Sequence, residues 1–435
     1  MRIGFFSDRY LPLTDGIAYS IESFRIELEA LGHEVYIFAP KPNLRYKEPS
    51  PHIIRFPAVK GLFWEDYMSS FFFPPQVIKQ VEKLNLDIIH FHTPGQLGMF
   101  GAYFALRHNI PLVTTYHTDL YEYVKHYPAV LPGTIALSML APVITGGGMD
   151  EYRTALSSIK PQRSVDDWNQ KIVERGVTLI HNHCDLVIAP SVKMERQLKG
   201  WKTVPPIAIL PTGVDEITTT SAKIDEVRAQ FGLSAHDQII LFVGRIGTEK
   251  NISLLIKSFE TVAKKNSAAK LVLVGTGDDL DVFQAQAAKS RYADRILFTG
   301  RLARPELGAV YRIAAVFAFP SLGDTQGLVI PEAALAEVPI VMIDPTITEV
   351  VTDGVSGYFA KKTAKDLAAK ILAVLGNEPK RLQMGKASRR LALQFGASQQ
   401  AAKLLRLYQE TIERHSAKPA PTQASFFRPG RSRNT

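Results

Sequence analysis

The sequence predicts an α/β protein made of two parallel-sheet domains in tandem, facing each other across a cleft. Three observations lead there. Short apolar runs rich in β-branched residues alternate with helical patterns from the first residue, as βαβ units require. A Pro-rich stretch, "WKTVPPIAILPTGVD" at 201–215, interrupts that rhythm, and the rhythm then starts again. A chain of 435 residues has room for two such domains.

The elements follow in order. "RIGFF" reads as a strand, "SDRYLPLTDGIA" as a Gly/Pro loop, and "YSIESFRIELEALG" as a helix stopped by Gly32. "EVYIFAP", "DIIHFH", "PLVTTYH" and "DLVIAPS" are further buried strands. The segment 131–180 breaks the pattern, first apolar ("LPGTIALSMLAPVITGGGM") and then polar. It predicts helices with a flexible loop near "GGG", facing the cleft or a membrane. The second half supplies "QIILFVGR", "KLVLVGTG", "RILFTGR", "VFAFPS", "PIVMID" and "SGYFA" as strands. The expected division is an N-terminal domain at 1–200, a linker at 201–212 and a C-terminal domain at 213–395. A helix at 396–415 packs back on the first domain, and a Pro/Ser/Arg-rich tail at 416–435 is disordered. Two parallel sheets in this order bind ligands between their facing carboxyl edges.

Composition narrows the function classes. The chain is 46% hydrophobic and 21% charged, ordinary for a soluble globular protein. Its single cysteine, Cys184, excludes an intrachain disulfide and fits a reducing cytosol. The start "MRIGFFSDRY" lacks a signal-peptide pattern, and no apolar run reaches 18 residues, so a cytoplasmic chain without a spanning helix is expected. A net charge of +9 fits an anionic partner, whether nucleotide phosphate, nucleic acid or acidic lipid, and equally a basic protein with none. The sequence has no interleaved aromatic and basic platform for single strands, which counts against nucleic acid.

Several stretches carry chemistry. In "LFVGRIGTEKN", Arg245 follows a strand and Lys250 lies five residues on. Together they are able to hold a diphosphate, the Arg as a fork and the Lys as a point charge, or they are solvated loop residues. "LVLVGTGDDLDVF" offers G-x-G without the third glycine of a dinucleotide fingerprint. Asp279 and Asp281 in the same stretch fit the first turn of a helix better than a metal site. In "PSLGDTQGLVIPEAALAEVP", Asp324 and Glu332 flank a helix start with Pro331 in its first turn. They serve as cap and dipole partner, or they hold sugar hydroxyls while the N–H groups of Gly327, Leu328 and Val329 face an anion. His117, at the end of "PLVTTYH", shares a polar neighbourhood with Asp119, Tyr121 and Tyr123, and "HFHTPG" adds His90 and His92. "HNHC" at 181–184 lacks the two-part spacing of a zinc site and reads as structural.

Taken in order, the loop "LPLTDGIAYSI", the "YHT" histidine, "PTGVD", "VGRIGTEKN", "TGR" and the acid–seven–acid element ending in "PEAALA" resemble retaining glycosyltransferases of the large nucleotide-sugar family with the GT-B fold. The resemblance spans about residues 1–415. It implies two Rossmann-like domains and a nucleotide-sugar donor, with no cofactor and no metal. It implies that Gly16 lets backbone approach the donor phosphate or acceptor, and that His117 hydrogen-bonds the transferred sugar. Arg245 and Lys250 would neutralise the leaving diphosphate, Asp324 would hold sugar hydroxyls and Glu332 the ribose, with Arg301 in the loop near the base. Two departures stand out. Asp324 occupies a position usually taken by Glu, and "TDG" replaces a glycine pair, so that Asp15 is expected to accept an unusual turn.

"TQG" and the Tyr-rich sequel to "YHT" are similar to enzymes that glucosylate diacylglycerol from UDP-glucose, which implies a lipid acceptor and an anionic membrane surface, with the protein peripheral on the inner face of the cell membrane. Phe63, Trp64, Tyr121 and Tyr123 are the candidate acceptor or membrane contacts. "VKGLFWEDYMSSFFFPP" reads either as an interfacial aromatic cluster or as a buried one. Phe426 and Phe427, beside Arg428, Arg431 and Arg433, add a weak lipid contact or no role at all. The competing readings are a GDP-mannose-dependent mannosyltransferase acting on phosphatidylinositol or a soluble glycan, a nucleotide-sugar epimerase, and a non-catalytic binder.

Overall fold

The structure, a computed structural model, describes residues 1–43, 45–60, 68–70, 72–126, 131–158 and 165–418. In chain order the strands are β1 (Arg2–Phe6), β2 (Glu34–Pro40), β3 (Ile53–Phe56), β4 (Val59–Lys60), β5 (Met68–Ser69), β6 (Ile88–Phe91), β7 (Leu112–Thr115), β8 (Leu186–Ala189) and β9 (Ile207–Ile209). They continue with β10 (Gln238–Val243), β11 (Ala269–Val274), β12 (Ile296–Gly300), β13 (Ala314–Phe319), β14 (Ile340–Met342) and β15 (Gly357–Phe359). One sheet runs β3-β2-β1-β6-β7-β8-β9 and the other β12-β11-β10-β13-β14-β15, with parallel neighbours throughout. β4 and β5 form a separate two-stranded antiparallel ladder.

Both sheets are buried on two faces, which is why their strands read as near-continuous apolar runs. Along β1 the alternation is plain. Ile3 and Phe5 enter a core with Leu404 and Tyr408 of helix Ala397–Ser416, while Phe6 points the other way and stacks on Phe38 with ring centroids 4.1 Å apart. Chain order reverses between β1 and β6 in the first sheet and between β10 and β13 in the second. Ligands of doubly wound sheets bind outside the carboxyl ends at such reversals, and Arg245 and Asp324 of the cleft described below follow β10 and β13 there.

Three sequence expectations change. The stretch expected as a linker contains β9, an edge strand of the first sheet; Pro205, Pro206 and Pro211 flank it, which an edge tolerates because its outer side needs no ladder bonds. β3 went unrecognised at four residues. The unusual turn expected at Asp15 is absent. Asp15 is extended (φ −133°) and caps helix Gly16–Ala30, its carboxylate accepting the Ala18 N–H at 2.8 Å.

The 131–180 segment folds as helices Leu131–Thr145, Met149–Ser158 and Val165–His181, with the glycine loop between the first two. No helix among the described residues is long and apolar enough to cross a membrane. Helix Ala397–Ser416 returns to the first sheet and packs along helix Gly16–Ala30. There the buried Tyr408 hydroxyl meets His90 Nδ1 at 2.6 Å. Tyr408→Phe leaves a buried ring nitrogen unpaired and is expected to lower stability by about 1–3 kcal/mol, read from urea unfolding, with the circular dichroism of the folded state unchanged.

Candidate active site

A cleft of about 2320 Å³ separates the two domains. That is more than twice the upper end for a single small-molecule site, roughly 1000 Å³. Its walls come from the loops at the carboxyl ends of β1, β6, β7, β10, β11 and β13.

The second domain contributes a largely buried ion pair to the cleft, and Arg9, Asp15 and Asp119 add charge from the first. Lys250 Nζ lies 2.6 Å from Asp324 Oδ1, and the two side chains are 13% and 16% exposed. Burial works against the Asp324 charge, but the charge and hydrogen bond of Lys250, with Ser321 and Lys193, together outweigh it, so the carboxyl sits below its ordinary range. Asp324 Oδ2 is buried with no hydrogen-bond partner among the described residues. Arg245 pairs with Glu249 at 2.8 Å and faces the same cleft. An ammonium has three N–H donors, so Asp324 does not exhaust Lys250.

The glycines of "VGTG" serve backbone packing, not a dinucleotide fingerprint. A Cβ on Gly275 (φ +136°) would lie 1.9 Å from the Gly244 carbonyl, so only glycine lets the loops after β10 and β11 touch. Gly327 (φ +70°) makes the left-handed turn that leads into helix Val329–Leu335. Gly327, Leu328 and Val329 line the cleft as expected for backbone facing a ligand, but the helix has seven residues and a correspondingly small dipole. A Cβ on Gly16 would meet Leu328 at 3.6 Å, an ordinary contact, so packing within the chain does not itself demand glycine there.

The first domain contributes a line of histidines. His90 and His92 alternate along and just past β6, so they share a face and their rings stack 4.1 Å apart. His92 Nδ1 is 2.9 Å from His117 Nε2, so one proton is shared between those two nitrogens. Burial pushes His117 down to about 4, with Asp15 acting weakly in the other direction, so it is neutral near pH 7. Thr325 Oγ1 donates to the His117 carbonyl at 2.8 Å, and Gln326 makes two hydrogen bonds with the backbone of Thr212 at 2.9 and 2.8 Å. These two residues of the "TQG" triplet therefore tie the domains together, a role with no sequence periodicity to announce it.

Of the other expected residues, Arg301 lines the cleft, while Glu332 and Tyr121 do not. Glu332 is 9% exposed. Its Oε2 accepts the Tyr311 hydroxyl at 3.0 Å, and its Oε1 is 4.0 Å from Arg304, which does line the cleft. Burial raises its pKa despite both partners. Arg301 is exposed at the cleft. Tyr121 packs against Trp201, ring centroids 5.8 Å apart, and does not line the cleft. Phe63, Trp64, the Tyr123 side chain and the tail from 419 onward lie outside the described residues. Asp279 accepts both the N–H and the hydroxyl of Thr248 at 2.8 Å, and no metal-holding cluster occurs among the described residues. In "HNHC", His181 packs edge-on to Tyr116, His183 contacts Glu151 at 3.0 Å and Cys184 is buried.

The first-domain end of the cleft is apolar, a feature the sequence offered only as one of two options. Met99, Phe100 and Tyr103 line it from helix Gln96–His108, Val177 and Ile180 from helix Val165–His181, and Leu140 and Ile144 from helix Leu131–Thr145. The last helix carries no charged residue. Thr134, Ser138 and Ala141 are buried, while Pro132, Ala136, Leu140 and Val143 form an exposed stripe spaced four, four and three residues apart.

Known proteins match both halves. Residues 14–216 fit the model described as Glycosyltransferase Family 4, and residues 223–391 that of Glycosyl transferases group 1. The chain is 30% identical over 385 residues to an alpha-monoglucosyldiacylglycerol synthase of Streptococcus pneumoniae, covering 86% of this chain and 78% of that protein. It is 28% identical over 375 residues to the Acholeplasma laidlawii protein of the same name, covering 83% and 85%. A sucrose-phosphate synthase structure from Thermosynechococcus elongatus superposes with a TM-score of 0.71 at 20% identity, over 95% of this chain and 99% of that one, a likeness of fold alone.

The histidines set an acid limit. His117 has a lowered pKa in the folded chain, so its share of stability is complete above about 6.5 and is lost as pH falls toward 4. His90, His92 and His181 shift the same way. Stability by urea unfolding is expected to drop from pH 7 to pH 5, and His117→Gln to make that slope shallower by up to about 1.4 kcal/mol per pH unit.

Proposed function

This chain belongs to the GT-B glycosyltransferases of the family 4 type, and we propose that it moves glucose from UDP-glucose to diacylglycerol at a membrane surface with retention of configuration. The observation that carries the lipid acceptor is the exposed apolar stripe of helix Leu131–Thr145, where Leu140 and Val143 are 54% and 55% exposed. It continues into the apolar end of the same cleft whose other end carries the cations. Exposed apolar surface of this kind marks a binding or membrane-contact surface. The names of the two synthases support glucose and diacylglycerol as donor sugar and acceptor. The net charge of +9 supports attraction to an anionic inner leaflet, with the enzyme peripheral on the cytoplasmic side.

In this reading Arg245 and Lys250 meet the diphosphate, and backbone N–H groups at Gly327, Leu328 and Val329 add to them. Asp324, held by Lys250, turns Oδ2 toward the sugar hydroxyls. Glu332 with Arg304 serves the ribose, and Arg301 lies near the base. Gly16 leaves room for the acceptor or donor phosphate, and neutral His117 hydrogen-bonds the transferred sugar. The bond from the anomeric carbon to the phosphate oxygen breaks as the acceptor oxygen attacks from the same face. The acceptor proton passes to the departing phosphate. Two side-chain cations supply the countercharge, so no metal is assigned a role.

The experiment is an assay with UDP-glucose and diacylglycerol in anionic vesicles, with EDTA present. Formation of an alpha-glucosyl diacylglycerol is expected. Mannosyl transfer from GDP-mannose, with none from UDP-glucose, contradicts the donor, and an isomerised sugar nucleotide contradicts transfer itself. Arg245→Ala is expected to lower kcat/KM roughly 100-fold, measured at a temperature where circular dichroism shows the variant fully folded. Replacing Leu140 and Val143 together by Asp is expected to reduce transfer on vesicles roughly tenfold or more while UDP binding by calorimetry stays as in the wild type.

A further inference from the structure

Lys193 belongs to the first domain, as the second residue of helix Val192–Gly200, which Ser191 caps at the end of β8. Its ammonium nevertheless donates to two carbonyls of the second domain, those of Leu322 and Asp324, the latter at 3.1 Å. Asp344 Oδ2, also of the second domain, is 3.5 Å away, and Asp119 Oδ2 of the first is 3.8 Å away. The Lys193 backbone N–H crosses as well, donating to the Thr346 carbonyl at 3.1 Å. The side chain is 17% exposed and lies behind the 322–326 loop, outside the cleft lining.

We propose that Lys193 is a positioning residue, a latch that closes the first domain onto the 322–326 loop and thereby fixes Asp324 beside Lys250. Three features separate it from an ordinary surface ion pair. Its contacts converge on the backbone of one loop, and one of them is the carbonyl of Asp324 itself. Its acidic neighbours come from both domains, so meeting the second domain adds the Asp344 carboxylate and two loop carbonyls to the Asp119 carboxylate it already faces. The same loop is tied across the gap by Thr325 and Gln326, neutral groups whose hydrogen bonds set register, while Lys193 supplies the single cation behind the loop among the contacts named here. Motion between domains is the default for such two-domain chains, so a specific closing contact has work to do. Lys193 touches neither reacting group and acts through Asp324. Its effect on turnover rests on the glucosyl-transfer reading; its effect on shape does not.

The test compares wild type, Lys193→Met and Lys193→Arg by small-angle X-ray scattering and by steady-state kinetics. Lys193→Met keeps the aliphatic stem and removes the charge. It is expected to enlarge the radius of gyration and to lower kcat roughly 10- to 100-fold. Its KM for UDP-glucose stays within about threefold, because the diphosphate cations belong to the second domain alone. Lys193→Arg restores most of both, which a purely structural loss would not show. A wild-type radius and kcat in Lys193→Met overturn the latch, as does a fall in activity matched by an equal fall in folded fraction. A larger radius in Lys193→Met with no glucosyl transfer by the wild type supports the latch and contradicts the substrate reading instead.

Discussion

The contact between Lys250 and Asp324 joins the loops that follow β10 and β13, the two strands between which the second sheet reverses its order. Both side chains are largely withdrawn from water, so removing either leaves the other buried without its ion-pair partner. Their position follows from topology. A doubly wound sheet opens a crevice at the reversal point, and the loops on either side of that crevice lie close enough to share an ion pair. The close approach of Gly275 to Gly244 and the turn at Gly327 bring the neighbouring backbone around this pair.

The cleft is divided by polarity. Charged side chains from both domains line one part of it, and apolar helices of the first domain line the far end. One cleft thus offers both kinds of surface, each suited to desolvating groups of its own polarity. The neutral histidine line from Tyr408 through His90 and His92 to His117 stiffens the first-domain side, linking the returning C-terminal helix to the cleft.

Much of the fold was legible because parallel strands buried on both faces leave unbroken apolar runs, as "QIILFV" and "EVYIFA" do. β9 was not, since three prolines around a three-residue strand read as a boundary. Arg245, Lys250, Asp324 and His117 were legible as cleft candidates because each stands at a strand's carboxyl end, a position that sequence rhythm reveals. Glu332 and Tyr121 show the limit of that signal. A residue one turn into a helix faces the cleft or the core depending on the helix's rotation, and Glu332 bonds buried Tyr311 on one side while lying 4.0 Å from cleft-lining Arg304 on the other. Lys193, Thr325 and Gln326 were invisible as site residues because their partners lie on the other domain, more than a hundred positions away.

The most direct test of a diphosphate-holding cleft is titration calorimetry of the wild-type chain with UDP, UMP and uridine at low and high salt. If Arg245 and Lys250 meet the diphosphate, UDP binds roughly 100-fold more tightly than uridine, with UMP between them, and salt narrows the gap. Equal affinity for UDP and uridine, or a gap that salt does not change, would contradict the assignment of the two cations to the leaving group.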